Sequence, residues 1–275
     1  EGLHIGHVEL ADRPFGIDVS RDGLVYVTRL DAMLVSRLDV ETRSFTGDIA
    51  VGSVPTGVTF HPGGAVAYVT NQHDGAVGVI DVATSRQTAT IPLDGTHPYV
   101  TFVSPDGGKL YITGNSPRVF VVNTQTRALT GTVDVGASPN GVALAPGDTL
   151  LYVSASWGGT VSEIDVRTDD VLRTFEPGGV PQGVVVSRDG AELYVANENG
   201  WLDVYSLESG ERIERVPLAG GGFGMALSPD QAHLYVSLAQ SGIIQVVNIP
   251  ARRVMHSFEV GGVPRRIAFT RHGGI

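Results

Sequence analysis

The chain has 275 residues, 42% of them hydrophobic, no cysteine and a formal net charge of −10. Such acidity argues against nucleic acid or anionic membrane surfaces as partners, since both call for a cationic face. Without cysteine there is no disulfide, thiolate metal site or cysteine nucleophile, and no apolar run approaches the ~18 residues of a membrane span.

Along the chain a short phrase returns at a near-constant interval. It begins Pro14-Phe15-Gly16, Pro55-Thr56-Gly57, Pro98-Tyr99-Val100, Pro139-Asn140-Gly141 and Pro181-Gln182-Gly183, then continues as Gly222-Phe223-Gly224 and Pro264-Arg265-Arg266. A period of about 42 residues with strand-like content predicts a β-propeller, one four-stranded antiparallel blade per repeat. Seven phrases predict seven blades in one domain over 1–275, starting near 14, 55, 98, 139, 181, 222 and 264.

Residues 98–136 show how a repeat is laid out. Val100–Val103 is the inner strand and Ser104-Pro105-Asp106-Gly107 a turn. Lys109–Thr113 and Val119–Val122 are the second and third strands, and 128–135 the outer one. The second-strand core recurs as Tyr26-Val27-Thr28, Tyr68-Val69-Thr70, Tyr111-Ile112-Thr113, Tyr152-Val153-Ser154, Tyr194-Val195-Ala196 and Tyr235-Val236-Ser237. β-Branched and aromatic residues suit a pleated, half-buried surface. The recurring acids of the turns (Asp22, Asp106, Asp189, Asp230; Asp39, Asp81, Asp165) are read as backbone-bonding turn residues.

Both ends of the chain are expected to share the last blade. Residues 3–10 are placed as its outer strand and 264–275 as its inner one, which protects sheet edges. Its second and third strands are missing, so this blade is incomplete and the natural chain is expected to run past Ile275.

Tyr68-Val69-Thr70-Asn71, followed by Val77-Gly78-Val79-Ile80-Asp81 and Thr84, resembles the YVTN family of β-propeller repeats. The resemblance implies that the loops before the first strand and between the second and third share one face, at the mouth of a central channel. It also implies a location outside the cytoplasm (periplasmic, secreted or cell surface), as in surface-layer proteins of similar sequence, and a likeness to lactonase propellers. On that face, Phe15, Tyr99, Asn140, Gln182 and Phe223 are candidate ligand contacts, as are Asn197, Trp157 and Trp201. The two tryptophans stand where the family has small or polar residues.

His73 and His97 are expected as neighbours on this face. With Asp74 they are weak metal candidates, although no metal-ligand spacing is present and no metal is expected. With Arg29 or Arg265 to steady an anion they are candidate catalytic residues. No nucleophile elbow, phosphate loop or dinucleotide fingerprint appears, so no cofactor is named. The leading reading is a scaffold that binds a small molecule or a protein at the channel mouth. The alternative is a lactonase-like hydrolase or lyase sited there.

Overall fold

The computed structural model describes residues 8–39, 41–93 and 95–269. Within them the chain folds into a β-propeller of six four-stranded antiparallel sheets, each made of four consecutive strands. The inner strands are β1 (Pro14–Val19), β5 (Pro55–Phe60), β9 (Pro98–Val103), β13 (Pro139–Leu144), β17 (Pro181–Val186) and β21 (Gly222–Leu227). Each begins on its phrase. Their partners are β2 (Val25–Arg29), β6 (Val66–Asn71), β10 (Lys109–Gly114), β14 (Leu150–Ala155), β18 (Glu192–Asn197) and β22 (His233–Leu238).

Hydrophobic cores lie between blades as well as within them. Tyr68, Val77 and Val79 of one blade pack with Val103, Leu110 and Ile112 of the next. The tyrosine of the second-strand core is buried in this layer at Tyr26, Tyr68, Tyr111, Tyr152 and Tyr194. At Tyr111 the polar tip is satisfied across the seam: its Oη donates to Asp169 at 2.7 Å, and Lys109 Nζ pairs with the same carboxylate at 2.8 Å.

In four of the six blades a buried hydroxyl joins the inner strand to the segment that follows it around the ring. The register of β1 on β2 slips between Pro14 and Ile17, which takes Gly16 out of the ladder. The Gly16 amide donates instead to Thr28 Oγ1 (2.8 Å), and that hydroxyl donates to Thr56 O of the next blade (2.9 Å). Thr70 does the same from Gly57 to Tyr99 O, Ser154 from Gly141 to Gln182 O, and Ser237 from Gly224 to Arg265 O. The phrase glycine lets the strands approach this closely. A Cβ on Gly16 would stand 2.1 Å from Thr56 O, and one on Gly141 2.0 Å from Gln182 O.

Two departures loosen the pattern. Val100 replaces the glycine in the third phrase, and there Thr113 reaches Asn140 O only at 3.4 Å. The fifth blade has Ala196 where the hydroxyl belongs.

Among the described residues the expected seventh blade is absent: there are six. Residues 260–269 contain no strand. The segment from Pro264 returns beside β21, and Arg265 O takes up the Ser237 hydroxyl as a following blade would. Side chains hold it there, but among the described residues no second strand lies beside it to build a ladder, so it stays irregular. The outer strand placed at 3–10 falls mostly outside the described residues. Its last three, 8–10, carry no strand.

Replacing Thr70 by Val removes a hydroxyl that serves two buried backbone groups. Urea denaturation should show a loss of about 1–3 kcal/mol, the cost of stranding buried polar groups. Thr70→Ser should retain most of the stability. An unchanged midpoint for Thr70→Val would contradict the role given to this bond.

Candidate functional site

The middle residue of each phrase follows the helix-free turn into an inner strand, so the ring brings these residues together around the channel mouth. Phe15, Thr56, Tyr99, Asn140, Phe223 and Arg265 all line one cleft of about 410 Å³, joined by His73 from the loop after β6. Phe15 and Phe223 meet edge to face with ring centroids 6.4 Å apart. The Arg265 guanidinium lies 4.5 Å from the Phe223 centroid and 5.7 Å from that of Phe15. Cation–π contacts of this kind hold an arginine without neutralising it.

Arg266, which the sequence reading passed over, also stands over Phe223, 5.4 Å from its centroid, and donates to Asn140 Oδ1 at 2.8 Å across the channel. Burial, with the Arg265 charge beside it, lowers this guanidinium to about 10, so it remains a cation at neutral pH. The bond continues as a relay. Asn140 Nδ2 donates to Gln182 Oε1 (2.5 Å), and Gln182 Nε2 to Glu198 Oε1 (2.8 Å). Neither Arg265 nor Arg266 has a carboxylate within ion-pair distance among the described residues. The mouth is thus locally cationic on an acidic protein. The signal in the sequence was Arg at a phrase position that is Gly in five of the other six repeats.

The remaining candidates are placed otherwise. Gln182 is buried and held in the relay. Asn197, the last residue of β18, is fully buried, accepting from the Val180 and Asn199 amides and donating to Gly178 O. Trp201 lies under Arg215, whose guanidinium is 4.2 Å from the ring and forks Asp203. Trp157 is 82% exposed on its loop and lines none of the mouth. Arg29 is held by Asp12 (2.5 Å) and Asp48 (3.2 Å), away from any ligand role at the mouth.

His73 and His97 are neighbours, with ring centroids 6.3 Å apart. His97 Nδ1 faces Gln72 O at 3.0 Å, so that nitrogen carries the proton. Asp74 accepts from the Ser53 amide. These three line a shallower groove that shares His73 with the mouth. Among the described residues no three His, Asp or Glu side chains are grouped to hold a metal. Among the described residues no helix is long and apolar enough to cross a membrane.

No family model matches the chain. Among curated proteins it is 24% identical to antigen Lp49 of Leptospira interrogans over 246 residues, 84% of this chain and 54% of that one. It is 30% identical over 150 residues to the uncharacterized protein YncE of Salmonella typhimurium, 53% and 42% of the two chains. It is 29% identical over 269 residues to the seven-bladed beta-propeller protein Rv1057 of Mycobacterium tuberculosis, 92% and 66% of the two chains. The chain therefore spans between 42% and 66% of these relatives' lengths. Among solved structures, a chain of Kuenenia stuttgartiensis hydrazine synthase superposes with a TM-score of 0.87 at 20% identity, covering 99% of this chain and 94% of that one. At that identity the likeness shows the fold alone, and together these comparisons place the chain among β-propeller proteins.

The contacts of Arg265 predict that Arg265→Ala is nearly silent in stability, within about 1 kcal/mol. Arg215→Ala strips a fully buried Asp203 of its fork and should cost about 2–3 kcal/mol. Thermal melts of the two variants compare them directly. An Arg265→Ala loss as large as that of Arg215→Ala would make Arg265 a structural residue.

Proposed function

We propose that the chain is a ligand-binding scaffold whose channel mouth takes a small organic anion. The reading rests on two guanidinium groups with no carboxylate in ion-pair range among the described residues, set over Phe223 beside a cleft with aromatic walls. Small-molecule sites combine such apolar walls with a few convergent polar groups. Burial raises the Tyr99 hydroxyl above its ordinary value, so it stays a neutral hydrogen-bond group in the cleft. The hydrolase alternative is weaker because among the described residues no carboxylate orients the His73 ring, as the nucleophile–base–orienter arrangement has it. The YVTN kinship and a location outside the cytoplasm belong to this proposal. The repeat motif supports the first, and a cysteine-free chain suits the second.

Titration with 8-anilinonaphthalene-1-sulfonate, an anion with an aromatic body, tests the reading. One site is expected, displaced by benzoate and weakened at least tenfold (about 1.4 kcal/mol) by Arg265→Ala. Binding that is indifferent to Arg265 and to benzoate would refute it.

A further inference from the structure

Beneath the mouth the channel continues into a second chamber of about 320 Å³. The two spaces share Phe15, Thr56 and Tyr99, which form the neck between them. The chamber walls are largely apolar, with Val58, Val100 and Phe102 below the neck. Two charged residues also line it, Asp18 from β1 and Arg266 from the segment after β24 (Arg253–Glu259).

Asp18 and Arg266 do not pair with each other. Each Asp18 oxygen accepts one backbone amide, Oδ1 from Val19 and Oδ2 from Phe60, both at 2.8 Å. Each retains a lone pair, and no cation lies within ion-pair distance among the described residues. Burial raises the Asp18 carboxyl above the ordinary carboxylate range. Besides its contact with Phe223, Arg266 donates among the described residues only through the nitrogen that reaches Asn140. Opposite charges in one poorly solvated space normally either pair or are pulled toward neutrality. Here they stand apart across a cavity with apolar walls.

We infer that this chamber recognises a zwitterion, an apolar or aromatic α-amino acid. Its carboxylate meets Arg266, its ammonium meets Asp18, and its side chain lies against Phe15, Tyr99 and Phe102. A guanidinium fork matches a carboxylate in plane. A carboxylate that already accepts two amides presents its remaining lone pairs to an ammonium. The relay from Glu198 through Gln182 and Asn140 makes Gln182 and Asn140 positioning residues for Arg266. The inference deepens the reading of the mouth as an anion site and rests on it, with the mouth as the entrance to the chamber.

Calorimetry with L-phenylalanine, 3-phenylpropionate and phenethylamine, beside benzoate, tests it on the whole chain. L-Phenylalanine is expected to bind at least tenfold more tightly than either analogue lacking one charge. Asp18→Asn should erase its advantage over 3-phenylpropionate while leaving 3-phenylpropionate unchanged. Arg266→Gln should weaken L-phenylalanine and 3-phenylpropionate alike and spare phenethylamine. Should Asp18→Asn melt early, the Arg266 variant and the wild-type ligand series still decide. Equal affinity for L-phenylalanine and 3-phenylpropionate overturns the zwitterion site. If benzoate still binds through Arg265, the anion site stands alone. If none of these ligands binds, both proposals fall.

Discussion

A buried hydroxyl, present with short bonds in four of the six blades, sets the geometry on which the rest depends. A propeller must bring its innermost strands together at the axis, where their backbones are too crowded for a regular ladder. In five of the six inner strands the two residues after the first leave the ladder, and the amide thus freed needs an acceptor. The Thr or Ser of the second strand supplies it, then passes its own proton to the neighbouring blade's carbonyl. One side chain satisfies two strands of different blades, at a place only glycine lets them approach.

The same arrangement presents the site. The carbonyl that accepts the hydroxyl belongs to the middle phrase residue, whose side chain faces the channel. Backbone groups at Thr56, Tyr99, Gln182 and Arg265 are therefore fixed by structural bonds. Their side chains remain free to vary from blade to blade. Phe15, Tyr99 and Phe223 make the walls, Arg265 and Arg266 supply charge, and Asn140 and Gln182 brace the latter. Rigid placement with variable chemistry is how repeat scaffolds acquire binding sites.

How much of this could be read beforehand follows from the physics. Strand order, blade length and the gathering of phrase residues at one mouth were legible, because periodicity constrains every repeat alike. The blade count was not: seven phrases imply seven blades only if each phrase becomes a strand, and Pro264-Arg265-Arg266 has no described partner to pair with. The Thr and Ser of the second strands looked like ordinary strand formers, since a sequence does not show which strands a hydroxyl joins. Arg29, Trp201 and Asn197 looked available because their partners, Asp48, Arg215 and Gly178, lie 14 to 19 residues away in sequence and meet them only after folding. Arg266 and Asp18 escaped notice for a related reason. Their interest lies in standing unpaired across one cavity, a relation visible only in three dimensions.

Amide hydrogen exchange across the inner strands reads the central bond most directly. The Gly16, Gly57, Gly141 and Gly224 amides each donate to a buried hydroxyl. They should be among the slowest to exchange, near the global unfolding limit. Gly183, whose counterpart in the second strand is Ala196, should exchange markedly faster, and Ala196→Ser should slow it. Equal protection at all five glycines, untouched by that substitution, would show that the hydroxyls are incidental to how the blades are joined.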